Sequence, residues 1–186
     1  MMKILAVIAA LAVTTSAAAV DIAGVQIADK ANVGGQELVL NGAGLRKRAI
    51  FKVYVGSLYV TEKAATGEAV LAKGPRRIQM NVLRDLSADQ LVNALVDGLK
   101  ENTTPAELQA ISAQTGEMTA IMKSFGEAKE GSVVTLDFVD GATRIGLNGV
   151  QKGAIDGAAF NRALTNIWIG AHPVQADLKK AMLGGA

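Results

Sequence analysis

The chain contains no cysteine. That excludes disulfides, thiolate chemistry and every cysteine-built zinc site. It contains one histidine, His172, between Gly170 and Pro173. A lone imidazole does not make a typical catalytic zinc site, and no spacing of serine and aspartate around it points to a triad; His172 reads as a structural residue at a helix junction. Charge of either sign is not in excess, with 19 Lys and Arg against 17 Asp and Glu. A balance so near neutral supplies no long-range field for nucleic acid or acidic lipid. The cationic run Arg46-Lys47-Arg48 reads as a local, solvated edge. Also missing are a P-loop, an internal repeat, a linker and a low-complexity stretch. Gly42-x-Gly44 lacks the third glycine of a dinucleotide fingerprint and precedes a strand instead of a helix, so no cofactor is expected, and no metal.

Long apolar runs are absent with one exception at the start. Met1-Met2-Lys3 is a short positive lead, Ile4 to Val13 an apolar stretch too short to span a bilayer comfortably, and Ala17-Ala18-Ala19 a small-residue cleavage site. The expectation is a signal peptide over 1–19, cut after Ala19 or alternatively Ala18, and a mature chain over 20–186 with no membrane span. That leaves one domain, large enough to be held by its core alone. A bacterial-style signal on a cysteine-free chain suggests the periplasm.

The strand signals come first. Glu37-Leu38-Val39-Leu40 reads as a short strand broken by Asn41-Gly42-Ala43-Gly44. Arg48 to Thr61 alternates, with Ile50, Lys52, Tyr54, Gly56, Leu58 and Val60 on one face and Phe51, Val53, Val55, Ser57 and Tyr59 on the other. Both faces carry bulk and are expected to be partly covered. Gly56 marks a bulge or a close backbone approach. Thr66 to Lys73 predicts a short helix and Arg77 to Leu83 a strand. Ser87 with Gln90, and Thr104-Pro105 with Glu107, are capping boxes opening helices. Leu91, Leu95 and Leu99 mark the first, and Leu108, Ile111, Met118, Met122 and Phe125 stripe the second. Asp140-Gly141 and Asn148-Gly149 predict two tight hairpin turns. A helix with Phe160, Leu164, Ile167 and Trp168 follows, ended by Gly170, and a last helix is expected over Pro173 to Leu183. Strands, two helices, a hairpin with a further strand, then two helices make an α+β fold with a mainly antiparallel sheet.

The chemistry-bearing candidates are few. Asp137 with Asp140, and Glu127 with Glu130, are paired carboxylates that could serve acid–base work, but read better as turn and surface residues. Arg46, Tyr54 and Tyr59 remain. A guanidinium is a planar fork for a carboxylate, and a tyrosine adds a hydroxyl at the mouth of an apolar cleft. Against this stands a plain reading in which Arg46 pairs within the protein and the tyrosines pack in the core.

Three segments carry a resemblance: Gly42-Ala43-Gly44-Leu45-Arg46, the strand through Val53-Tyr54-Val55-Gly56-Ser57-Leu58-Tyr59-Val60, and Phe160-Asn161-Arg162-Ala163-Leu164-Thr165-Asn166-Ile167-Trp168-Ile169-Gly170. Together they resemble the chalcone isomerase family, in its bacterial chalcone isomerase-like branch, over about Gly34 to Gly184. The resemblance implies an open-faced β-sandwich, a large antiparallel sheet covered on one face by helices, with the ligand cleft between them. In the plant enzymes an arginine after the Gly-x-Gly turn orients a flavonoid phenolate for intramolecular ring closure, and Arg46 matches it. Tyr54 stands where the enzymes have a threonine, Leu91 nearest their catalytic tyrosine, and Gly98 near their asparagine. Of these positions only Arg46 keeps the enzymes' residue. Non-catalytic relatives bind fatty acids through the arginine.

The function expected is therefore a periplasmic, non-catalytic binding protein for a fatty acid or similar amphipathic carboxylate, with Arg46, Tyr54 and Tyr59 as ligand-binding residues. Two alternatives stay open. One is a residual isomerase or lyase of the chalcone isomerase type. The other is a structural or partner-binding module whose cleft is filled by its own side chains. The sequence does not speak to oligomeric state.

Overall fold

Glycine turns close four of the hairpins. The computed structural model describes residues 19–185; residues 1–18, which carry most of the expected signal peptide, lie outside the described residues. Strands β1 (Val20–Ile22) and β2 (Val25–Ile27) form a small hairpin of their own. β3 (Lys30–Val33) turns at Gly34-Gly35 into β4 (Gln36–Arg48), which pairs with β5 (Phe51–Val60). Helix α1 (Gly67–Ala72) follows, capped by the Thr66 hydroxyl, then β6 (Arg76–Val82). The capping box at Ser87 opens α2 (Ala88–Asn102), and that at Thr104 opens α3 (Pro105–Ala110). A two-residue strand pair, β7 (Leu86–Ser87) with β8 (Glu127–Ala128), brackets α2, α3 and α4 (Ser112–Phe125). β9 (Val133–Val139), β10 (Ala142–Leu147) and β11 (Val150–Asp156) meander through the two expected Asx-Gly turns. Helices α5 (Ala158–Ile169) and α6 (Ala176–Met182) close the chain.

The main sheet has seven strands in the order β11-β10-β9-β6-β5-β4-β3, every pair antiparallel. The helices cover one face. Leu58, Val60, Ile78, Leu136, Phe138 and Ile145 of the sheet meet Leu95, Leu99, Met118, Phe160, Leu164 and Trp168 of the helices in the larger core. On the other face Ile27, Val33, Leu38, Val55, Tyr59 and Val139 form a second, smaller core beneath the β1–β2 hairpin. The rest of that face is polar and open. So β5 is covered on both sides, as its two bulky faces required.

Four expectations need correction. Asn41-Gly42-Ala43-Gly44 does not break a strand: β4 runs through it, with a bulge at Asn41 where the register with β5 skips a residue. The turn comes later, at Ala49-Ile50, so β5 starts at Phe51 and not at Arg48. The stripe from Leu108 to Phe125 is divided at Ile111 between α3 and α4, and the last helix is shorter than expected, starting at Ala176.

The bulge explains the glycines. Asn41, pushed out of register, is buried and uses its whole amide. Its Nδ2 donates to the Ala64 and Met182 carbonyls at 3.0 and 2.8 Å, and its Oδ1 accepts from the Ala64 backbone N–H at 2.7 Å. This ties the end of α6 to β4. A side chain at Gly42 would overlap the Ala181 carbonyl oxygen, and a Cβ at Gly44 would lie 2.7 Å from the Ala181 Cβ. One at Gly56 would sit 3.4 Å from Leu178 Cδ1. Gly42 and Gly44 form a floor that lets α6 lie directly on β4, whereas a Cβ at Gly56 would only touch Leu178 and the Tyr54 ring.

A second tie crosses the other end of the sheet. Arg76 is 6% exposed. Its Nε and Nη2 donate to the Thr165 hydroxyl at 3.1 and 2.8 Å, and Nη2 also donates to the Asn161 side-chain oxygen, both on α5. The guanidinium lies 4.6 Å from the centre of the Phe138 ring. Burial, helped by the nearby Arg162 charge, lowers its pKa to about 10, so it is still a cation at neutral pH. No carboxylate pairs with it among the described residues.

Candidate functional site

The β4–β5 ladder sets the site. Arg46 and Tyr54 are direct partners across it, on the face covered by helices. Tyr54 accepts a hydrogen bond from Trp168 Nε1 on α5 at 2.9 Å. Burial raises the Tyr54 pKa; the Trp168 hydrogen bond and the Arg46 charge oppose this, and burial prevails, so the phenol stays neutral. Arg46 Nη1 donates to the Lys47 carbonyl and, at 3.2 Å, to Gln175 Oε1 just before α6. Gln175 also accepts from the Lys47 N–H at 2.9 Å and donates to the Leu45 carbonyl at 3.1 Å. Arg46 is half-buried and, among the described residues, makes no ion pair. Its acceptors are neutral.

Tyr59 is not part of this group. Five residues along a strand from Tyr54, it points to the opposite face. There it is buried in the smaller core and donates its hydroxyl to the Ala28 carbonyl at 3.0 Å. Burial also raises its pKa. The structure therefore brings Arg46 and Tyr54 together and separates Tyr59 from them. Sequence reasoning missed Trp168 and Gln175 as their partners. Trp168 was legible only as one position of an apolar stripe, and Gln175 fell inside the helix expected to begin at Pro173.

Between sheet and helices the space beside Arg46 is occupied. Leu178 and Met182 of α6 are fully buried over the glycine floor. Two open surface clefts lie elsewhere. One of about 640 Å³ runs over the polar sheet face around Gln79, Thr135 and the Arg77–Asp137 pair. Its floor is bidentate, with Arg77 Nε and Nη2 at 2.5 and 2.7 Å from the two carboxylate oxygens of Asp137. The other, of about 610 Å³, lies between Pro75, Arg76 and the start of α5.

The remaining candidates are accounted for by surface contacts. Asp137 is held by Arg77, Asp140 sits in its hairpin turn, and Glu127 pairs with Lys129 at 2.5 Å. His172 is exposed. Its backbone N–H and carbonyl bond the Asn102 side chain at 3.1 and 2.8 Å. Gly98 faces α5 so closely that a Cβ would lie 2.8 Å from Ile167 Cγ2. An asparagine there would collide with the helix. Gly98→Ala is expected to lower stability by about 1–2 kcal/mol, measured by urea unfolding; an unchanged midpoint would mean that α2 and α5 are more loosely seated than described.

The arrangement offers one cation next to a neutral phenol and an indole N–H, at the rim of an apolar core. That set can hold an acid group. It contains no general base.

Comparison with known proteins agrees with this architecture. The family model described as chalcone isomerase-like matches residues 19–184. No curated protein matches. The crystal structure of a fatty-acid binding protein from Arabidopsis thaliana superposes with a TM-score of 0.71 at 14% identity, covering 90% of this chain and 96% of that one. At that identity the likeness speaks to the fold. With the family model spanning nearly all of the described residues, the chain belongs to the chalcone isomerase-like family.

Proposed function

We propose that this is a non-catalytic binding protein for a fatty acid or a similar amphipathic carboxylate, exported to the periplasm. One observation carries the reading. The Arg46 guanidinium stands beside the Tyr54 hydroxyl at the edge of the larger core and is held only by neutral acceptors. A carboxylate would replace Gln175 on it with a charge-assisted, two-pronged contact. The fatty-acid binding named for the Arabidopsis structure is consistent with this chemistry. Leu91 and Gly98 in place of the enzymes' polar residues argue against ring closure, and the fit of Gly98 against Ile167 leaves no room for an asparagine.

The ligand's tail would need the place now taken by Leu178 and Met182, so α6 must lift for the site to fill. In the test, the delipidated protein is titrated with a long-chain fatty acid and with its methyl ester. The acid is expected to bind and the ester to bind at least tenfold more weakly. Arg46→Ala is expected to weaken the acid by about 1.5–3 kcal/mol. Equal affinity for acid and ester would sink the proposal. Mass spectrometry of whatever co-purifies with the native protein gives the chain length.

The filled space over Gly42 and Gly44 favours a second reading, a structural module whose cleft is closed by its own helix. It predicts no saturable binding of either compound.

A further inference from the structure

The β4–β5 hairpin breaks a rule that the same chain follows elsewhere. Its other two-residue turns are Ala23-Gly24, Gly34-Gly35, Asp140-Gly141 and Asn148-Gly149, each with glycine at the second position and positive φ at both. The β4–β5 turn is Ala49-Ile50, and Ala49 takes a φ of 52° that favours glycine. Ile50 is 87% exposed and Phe51 54% exposed. The turn sequence sacrifices local stability and places a large apolar side chain at the outermost point of the sheet.

Around that point the charge is of one sign. Lys47, Arg48 and Lys52 are exposed on the two strands that lead to the turn. Exposed Arg84, in the β6–β7 connection, lies with its guanidinium 4.8 Å from the centre of the Phe51 ring. The nearest acid in sequence, Asp85, is already engaged by Lys129 at 3.3 Å and by the Glu130 N–H at 2.8 Å. None of the four cations has an ion-pair partner among the described residues. An overall charge close to neutral therefore conceals a cationic collar around an apolar tip.

We propose that this hairpin docks on an anionic lipid bilayer, with Ile50 and Phe51 entering the headgroup–acyl boundary and Lys47, Arg48, Lys52 and Arg84 resting on the headgroups. Either element alone would be ordinary: surface cations are commonly solvated, and scattered apolar residues are common. Their combination is what an interface with an apolar interior and an acidic surface complements. An acidic protein would satisfy the collar but would give the protruding tip nothing to enter unless it had a matching pocket. The proposal stands whether or not Arg46 holds a fatty acid. If it does, Arg46 lies four residues from the tip, and the membrane becomes the donor or acceptor of the ligand.

The test is co-sedimentation of the full chain with vesicles of phosphatidylcholine alone and of phosphatidylcholine mixed equally with phosphatidylglycerol. Binding is expected only to the mixed vesicles and should fall steeply with salt. Ala49→Gly with Ile50→Ser installs favoured turn chemistry while removing the tip. That double variant should melt no lower than the parent and lose at least about tenfold in partitioning. Lys47→Gln with Arg48→Gln should remove most of the preference for the anionic vesicles.

The absence of native cysteine allows a nitroxide at Ile50→Cys, expected to be shielded in lipid. The same label at Ala113→Cys should stay in water, since α4 begins near the opposite end of the sheet, where Gln114 reaches the Asp156 carbonyl. Equal binding to both vesicle types, full binding by the stable double variant, or a water-exposed label at position 50 on bound protein would each overturn the proposal, as would no binding at all, the result expected if an acidic protein is the partner.

Discussion

Arg76→Ala is expected to destabilise the fold by about 3–4 kcal/mol, a sum of cavity formation in a packed layer and loss of charge-assisted hydrogen bonds. The side chain is 6% exposed and bridges β6 to α5, bonding Thr165 and Asn161 and stacking on Phe138. Its removal leaves the Thr165 hydroxyl and Asn161 amide with only their own mutual and local bonds. Thr165 Oγ1 still donates to the Asn161 carbonyl at 2.8 Å, and Asn161 Nδ2 to the Ala142 carbonyl at 3.3 Å. Two companions separate the causes. Arg76→Met restores most of the volume without the donors, and should recover about half of the loss, because an apolar isostere avoids the cost of burying a charge. Arg76→Lys keeps the charge but cannot reach both α5 partners from one planar fork. Urea midpoints of the three variants decide. Equal stability of the alanine and parent proteins would show that α5 is held by its apolar face alone.

Gly42→Val is the second large effect, expected near 3 kcal/mol and local in character. Valine at 42 cannot coexist with the Ala181 carbonyl oxygen, and the strand beneath is fixed between β3 and β5. Helix α6 has seven residues and is the more easily displaced of the two. Lifting it exposes Leu178 and Met182, whose burial is worth about 1.5–3 kcal/mol each. Amide exchange should show protection lost over 176–182 and retained in β5 and β6; protection retained in α6 would refute the account of the glycine floor. The same variant distinguishes the two readings of the site. If a fatty-acid tail competes with α6 for the floor, undocking the helix removes a cost of binding and affinity should rise. If the cleft is only a closed core, the variant gains no affinity for the acid over its methyl ester.

Much of the architecture was legible in the chain because local rules and tertiary demands coincide. Both capping boxes, both Asx-Gly turns and the two-faced bulk of β5 appear where periodicity and cap chemistry place them. The misreadings share a cause. Asn41-Gly42-Ala43-Gly44 has the composition of a turn, but its glycines answer to a helix about 140 positions later in the chain, and no local signal carries that. Ala49-Ile50 has the composition of a strand and forms the turn. In both places a long-range or external requirement overrides local preference. The site shows the same limit. Arg46 and Tyr54 were identifiable as candidates, whereas their closure by Gln175 and α6 depends on where the C-terminal segment comes to rest. Tyr59 was grouped with them by residue type, although strand parity alone puts it on the other side of the sheet.

The Trp168–Tyr54 hydrogen bond has a practical consequence. Trp168 is the sole tryptophan in the chain, and its indole is buried one ladder partner away from Arg46. Tryptophan emission from this protein, excited selectively beyond the tyrosine absorption, therefore arises at a single location, next to the residues of greatest interest. Any event that wets, dries or rearranges that neighbourhood should change the colour or lifetime of the emitted light, with no dye added.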